Sequence, residues 1–127
     1  MKLSTRSRYG IRILLEIARN YGEKVTSVKE ISLSQNLPRK YVEQIIIKLK
    51  KNGIINGERG IKGGYVLKDP PSEIRLDKII SILENDIKLV DCKGCSAFSK
   101  CNTRKVWEGA EKRLRDYFSG IRLSDIL

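Results

Sequence analysis

PRKYVEQIIIKLKKNGIINGERGIKGGYVL, residues 38–67, reads as a helix running into a hairpin. Pro38 suits a first helical turn, where its missing N–H has no partner to lose, and Asn52-Gly53 supplies the left-handed stop that ends helices. Between them Val42, Ile45, Ile46 and Leu49 recur at i, i+3, i+4 and i+7, the apolar stripe of a helical repeat. Advancing about 100° per residue from Val42 places Lys40, Gln44, Ile47, Lys48 and Lys51 on the opposite face, with Glu43 at its border. That face is basic and amide-bearing. A helix fits the DNA major groove, where the lysines would meet phosphates while Glu43 and Gln44 reach base edges. Ile47 interrupts the polar face and is read in two ways: an isolated exposed isoleucine, or a contact for a thymine methyl group.

Beyond the stop, Ile54-Ile55 begins a short strand, GERGIKGG forms a glycine-rich tip, and Tyr65-Val66-Leu67 returns. Arg59 and Lys62 sit on the tip, where glycines 57, 60, 63 and 64 allow the close approach that entry into a narrow minor groove requires. The expected DNA contacts are Arg39, Lys40, Tyr41, Glu43, Gln44, Ile47 and Lys48 on the helix, with Arg59 and Lys62 on the hairpin.

Upstream, Tyr9, Ile13, Leu14, Ile17, Ala18 and Tyr21 mark a helix with one buried stripe, ended by Gly22. Thr26-Ser27 offers a cap, Glu30 stands in capping-box position after Ser27, and Val28, Ile31 and Leu33 belong to a short helix closing near Asn36. Residues 26–52 are therefore helix, tight turn, helix. Ser4, Thr5 and Arg6 precede the first helix, as caps or as a phosphate site.

The 127 residues carry a formal charge of +11, unevenly placed: residues 1–70 hold 15 Lys/Arg against 6 Asp/Glu, giving +9, and residues 71–127 hold 11 against 9, giving +2. The first part is the one suited to a polyanion. Histidine is absent, which removes the commonest general base and zinc sites of the Cys-His kind. With no phosphate-cradling glycine motif that leads into a helix, an enzyme is not expected. The run IRILLEIA is broken by Arg12 and Glu16, so neither an export signal nor a membrane span is expected, and the protein should be cytoplasmic.

Asp69-Pro70-Pro71-Ser72 is strand-terminating punctuation and marks the joint between a DNA-binding region, 1–70, and the rest, 71–127. Leu76, Ile79, Ile80 and Leu83 follow as core residues of a helix. From Thr103 a long stripe of Val106, Trp107, Ala110, Leu114, Tyr117, Phe118 and Ile121 needs a surface to cover, and a second subunit is the natural one for so small a chain. Glu108–Lys112 and Glu111–Arg115 are expected as ion pairs on its wet side, and the tail 123–127 is expected to dock as a last turn.

All three cysteines lie in one loop, 92–101: Cys92, Cys95 and Cys101. Clustered cysteines in a cytosolic chain point to metal binding or redox chemistry sooner than to a structural disulfide. Three chemistries fit: an iron–sulfur cluster, with Lys93 and Lys100 offsetting its charge, a zinc site, or a reactive dithiol at Cys92 and Cys95.

Arg8-Tyr9, L-P-x-x-Y-V-E-Q from Leu37, L-x-K-N-G-I-I from Leu49, R-G-x-x-G-G-Y-x-L from Arg59, and C-x-T-x-x-x-W from Cys101 together resemble the IscR-type regulators of the Rrf-two family. The resemblance spans nearly the whole chain, and the R-G-x-x-G-G-Y hairpin is its most specific piece. It implies a mainly α winged helix-turn-helix protein with a two-stranded β-wing and a C-terminal dimerisation helix. It further implies a homodimeric transcription regulator, often a repressor, bound to a double-stranded operator. Its cysteine loop would hold an iron–sulfur cluster, of the two-iron two-sulfur kind, on Cys92, Cys95 and Cys101. Two departures bear on that cluster. The gap between the first two cysteines is shorter than in the family, and Arg104 stands where IscR-like proteins place a histidine, offering a permanent cation that cannot coordinate. The fourth ligand is left open. The rival within the same class is a DNA-binding regulator that holds no cluster and responds to thiol oxidation or a protein partner. A small iron–sulfur or dithiol redox carrier is the rival from another class, and it leaves the helix-turn-helix and wing unexplained.

Overall fold

The computed structural model describes residues 2–60 and 63–127. It is mainly helical, in the order α1 (Thr5–Arg19), α2 (Val28–Gln35), α3 (Arg39–Lys51), β1 (Ile55–Glu58), β2 (Gly64–Leu67), α4 (Leu76–Glu84) and α5 (Arg104–Ser119), with short 3-10 turns at Pro71–Glu73, Phe98–Lys100 and Leu123–Ile126. The winged helix-turn-helix architecture expected from residues 26–67 is present.

Each start and stop has its local cause. The Ser4 side chain accepts the Ser7 N–H and begins α1; Ser27 and Glu30 close a reciprocal capping box on α2, which ends on left-handed Asn36. Pro38 caps α3, and the chain leaves it through Gly53 at φ +73°, the left-handed conformation that glycine adopts without a Cβ penalty. β1 and β2 pair antiparallel from Ile55 opposite Leu67 to Glu58 opposite Gly64. A further bridge joins Tyr65 to Thr26, so the wing is sewn to the segment that leads into α2.

One apolar cluster runs through the described chain. Ile13, Leu14 and Ile17 of α1, Ile31 of α2, Val42, Ile45, Ile46 and Leu49 of α3, and Ile79, Ile80 and Leu83 of α4 are all buried together. Each such side chain contributes about 1.5–3 kcal/mol on leaving water. Gly10 lets α1 and α4 approach closely, because a Cβ there would run into Leu83 Cδ1. The core therefore continues past Pro70 and takes in α4, which packs on α1, α3 and α5. Residues 74–76 and 121–123 are stitched together by Leu76 N–H to Ile121 O and Leu123 N–H to Ile74 O, both 2.9 Å, and Leu123 docks fully buried.

Two expectations need correction. Tyr21 is 40% exposed, because α1 stops at Arg19 and the tyrosine lies beyond its stripe. Leu33 lies in α2 as expected, on its far side and 74% exposed, since it is two residues after the buried Ile31. The ion pairs of α5 are Arg104–Glu108 at 3.3 Å and Lys112–Asp116 at 2.8 Å rather than the two expected. Glu111 is buried and accepts the Leu89 N–H at 2.8 Å; that amide has no ladder partner, and the carboxylate satisfies it. Val106, Trp107 and Tyr117 are 60%, 41% and 66% exposed, so much of the α5 stripe is not covered by its own chain. Among the described residues, no helix is long and apolar enough to cross a membrane.

Candidate nucleic-acid interface and cysteine loop

α3 buries Val42, Ile45, Ile46 and Leu49 and leaves Lys40, Glu43, Gln44, Ile47 and Lys51 exposed on the outer side, with Arg39 exposed at its first turn. Ile47 is 65% exposed, as its angular position requires. Two expected contacts stand differently. The Tyr41 ring meets Tyr9 edge-on at 6.0 Å between centroids, and Tyr9 in turn lies under the Arg12 guanidinium at 5.2 Å, so Tyr41 is half-buried beside the core. Lys48 is also half-buried, its Nζ donating to Asn85 Oδ1 at 2.9 Å across the gap to α4. Lys50, not singled out from the sequence, lies over the wing, with its Nζ within 3.4 Å of where a Gly57 Cβ would stand.

The wing carries Arg59 exposed at its tip beside Gly60, which has φ +135°. Lys62 lies outside the described residues. The base of the wing is held by two backbone hydrogen bonds, Thr26 N–H to Tyr65 O at 3.0 Å and Tyr65 N–H to Thr26 O at 2.8 Å. Gly64 permits this contact: a Cβ there would sit 2.6 Å from Thr26 O. The helix-turn-helix is braced from the other side by Arg12 Nε donating to Gln35 Oε1 at 2.7 Å. Both α3 and the wing are thus tied to the rest of the fold, with Lys40 and Lys51 exposed on the helix and Arg59 on the wing.

The cysteine loop packs against the start of α5. Cys92 and Cys95 are joined by one turn, Cys95 N–H donating to Cys92 O at 3.2 Å with Gly94 at φ +73°. Cys101 Sγ lies 3.1 Å from Thr103 Oγ1 at the head of α5. Hydrogen bonding from the Thr103 hydroxyl, then from the Arg104 and Thr103 amides, outweighs burial and holds the Cys101 thiol below its ordinary pKa. Arg104 is committed to the loop: it stacks over Phe98 at 4.2 Å and donates to Phe98 O at 2.8 Å. Its Nε faces Glu108 as an ion pair without hydrogen-bond geometry. A cavity of about 450 Å³ opens between Lys88, Cys92, Lys93, Phe98, Arg104 and Glu111.

The three thiols are free, and among the described residues no three His, Cys, Asp or Glu side chains gather closely enough to hold a metal ion. In this arrangement Cys101 pairs with the Thr103 hydroxyl, and Arg104, a cation that cannot coordinate, is held against Phe98. Sequence reasoning missed Asn85 and Glu84, and it paired Glu111 with Arg115, whereas Glu111 accepts from Leu89 and Arg115 meets Asp86. Only Glu111 left a local signal, four residues after Trp107 and three before Leu114, at the edge of the apolar stripe.

Residues 3–127 match the family model described as Rrf2, iron-dependent transcriptional regulator. The chain is 34% identical over 126 residues to the HTH-type transcriptional regulator CymR of Bacillus subtilis, covering 99% of this chain and 89% of that protein. The solved structure of CymR, described as the global cysteine regulator of B. subtilis, superposes with a TM-score of 0.84 at 33% identity, over 99% of this chain and 95% of the other. That of T. potens IscR gives 0.82 at 32% identity, over 99% and 85%. With an exposed basic recognition helix, a braced wing and a match over almost its full length, the chain belongs to the Rrf2 family of DNA-binding helix-turn-helix transcriptional regulators.

Proposed function

We propose that this regulator acts as a homodimeric repressor, occupying a two-fold operator with α3 in the major groove and Arg59 of the wing toward the minor groove. The observation that carries this is the outward face of α3, where Lys40, Glu43, Gln44, Ile47 and Lys51 stand exposed on a helix anchored by four buried residues, with Arg39 exposed at its start. Residues 1–70 supply the DNA surface, and 71–127 supply dimerisation and sensing. The partly uncovered stripe of Val106, Trp107 and Tyr117 supports pairing through α5. Affinity for duplex DNA should fall steeply with salt, and removing one phosphate contact, as in Lys40→Ala, should lower the log–log slope by about 0.9. A flat salt dependence sinks the proposal.

The loop at 92–101 is the sensor. Cluster ligation by Cys92, Cys95 and Cys101 is supported by the iron-dependent description of the family and by three soft thiolates within ten residues of chain. It requires Cys101 to leave Thr103. Reversible thiol oxidation without a cluster is supported by the lowered Cys101 thiol and its place at a helix start. Purification without oxygen, followed by a visible spectrum with iron and sulfide counts, separates the two. Iron and sulfide in stoichiometric amount support ligation; a colourless protein whose DNA affinity changes on peroxide treatment supports thiol sensing.

A further inference from the structure

α4 ends in two consecutive residues of positive φ, Asn85 at +65° and Asp86 at +132°. Asparagine tolerates the left-handed region, but an aspartate at that second angle is strained and persists only where its surroundings hold it. Glycine would serve the turn with less strain, yet the chain keeps a side chain at both positions and uses both. Asn85 Oδ1 accepts a hydrogen bond from Lys48 Nζ at 2.9 Å, reaching the recognition helix. Asp86 Oδ1 accepts from Ile87 N–H at 2.7 Å and from Arg115 Nη2 of α5 at 3.1 Å; the same Nη2 donates to Ile87 O at 2.8 Å. Two residues on, Leu89 N–H donates to Glu111, one turn before Arg115 on α5. The cysteine loop begins three residues later. This corner is therefore stapled to α5 on one side and touches α3 on the other.

Lys48 stands about 240° from the centre of the buried stripe measured at Val42, at the edge of the outward face of α3. Its acceptor is a neutral amide, so the bond fixes the ammonium without cancelling its charge, and two of its three N–H donors remain for a phosphate. The neighbouring carboxylate, Asp86, faces Arg115 and leaves that charge intact. A shallow open cleft runs along Lys48, Asn52, Lys78 and Asn85, with Asp86, already paired to Arg115, also on its wall.

We propose that Asn85 is a positioning residue of the DNA interface: it holds Lys48 at the phosphate-facing edge of α3, and its corner is fixed to α5 through Asp86 and Arg115. A shift of α5 or of the cysteine loop is thereby delivered to the recognition helix as gain or loss of Lys48 placement. The inference rests on the DNA-binding function proposed above and adds to it the joint through which sensing reaches DNA.

The test is a double-mutant cycle on the full chain, with a duplex selected by this protein from a random-sequence library. Asn85→Gly keeps the positive φ and removes only the acceptor, so folding is not put at risk. It should weaken the selected duplex about fivefold, equivalent to the ~1 kcal/mol of an ordinary hydrogen bond. Lys48→Ala should weaken it at least as much, and the double variant no more than Lys48→Ala alone. Arg115→Gln should likewise weaken binding when Lys48 is present and have no effect when it is absent. Thermal unfolding of each variant separates lost placement from lost structure. Additive losses, or an Asn85→Gly variant that binds as the unaltered protein does, overturn the inference while leaving the regulator intact. Failure of the unaltered protein to select any duplex overturns the DNA-binding function itself.

Discussion

Glu84, at the end of α4, closes the N-terminus of α1: its Oε1 accepts the Ser4 N–H at 2.7 Å and the Ser7 hydroxyl at 2.6 Å. A helix start attracts anions, and here the anion is supplied from within the chain. The Ser4-Thr5-Arg6 segment therefore serves as a cap, and its candidacy as a phosphate site is taken up by a carboxylate. Burial raises the Glu84 pKa, but the bonds from Ser7 and Ser4, with Arg6 nearby, more than offset this and leave it lowered. A lowered folded-state pKa contributes stability above the ordinary glutamate value and loses it as pH falls through the folded one. Glu84→Gln should cost about 2 kcal/mol at neutral pH. The gap to the unaltered protein should close in acid, as pH falls through the lowered pKa of the folded state. Urea unfolding at both pH values measures it, and a pH-independent gap would sink the assignment.

The stripe on α3 was legible because four residues at helical spacing all point one way and the stop at Asn52-Gly53 is local chemistry. The wing was legible for the same reason, since its glycines and flanking strands are contiguous. What could not be read depends on partners distant in sequence. The lysine at 48 looks like any other on the basic face, and its acceptor Asn85 is 37 residues away. Glu111 shows the same limit: a glutamate four residues before Arg115 suggests a surface pair, and only the fold presents it with the unpaired Leu89 amide. In the cysteine loop the residues were evident, and the turn from Cys92 to Cys95 is local, but the contacts of Cys101 with Thr103 and of Arg104 with Phe98 are not signalled by cysteine spacing.

Gly64 is fixed by the contact between wing and helix-turn-helix. A Cβ there would lie 2.6 Å from Thr26 O and 2.7 Å from Thr26 C, backbone atoms that cannot swing aside. Gly64→Ala should lower stability by about 1–3 kcal/mol, as overpacking does. It should also free the amides of Thr26 and Tyr65, seen as faster hydrogen exchange at those two positions. Unchanged exchange there would show that the wing does not depend on this bridge.

The depressed Cys101 thiol has a direct readout. In a Cys92→Ser, Cys95→Ser background, alkylation by iodoacetamide should reach half its maximal rate at a lower pH than an unperturbed thiol, because the thiolate is the nucleophile. Thr103→Val removes the first and largest stabiliser of that thiolate and should move the midpoint upward. A midpoint indifferent to Thr103 would remove the hydroxyl from the account and weaken the case for Cys101 as the reactive sensor thiol.

Ile47 is the apolar residue on the outward face of α3, 65% exposed, with Glu43, Gln44 and Lys51 exposed on the same side. Its burial in the free protein is slight, so Ile47→Ser should leave thermal stability nearly unchanged. A base pair presents one apolar feature in the major groove, the thymine methyl, and an exposed isoleucine on a recognition helix is placed to meet it. If it does, the serine variant should lose about 1 kcal/mol of operator affinity, at the low end of what one mismatched base pair costs. It should also become insensitive to replacing one particular thymine by uracil, a change that weakens the unaltered protein. The uracil scan is the deciding measurement, since a general loss of affinity would follow from any disturbance of the helix whereas loss of the methyl effect at one position would not. Full retention of uracil sensitivity in Ile47→Ser would return the residue to an ordinary surface isoleucine.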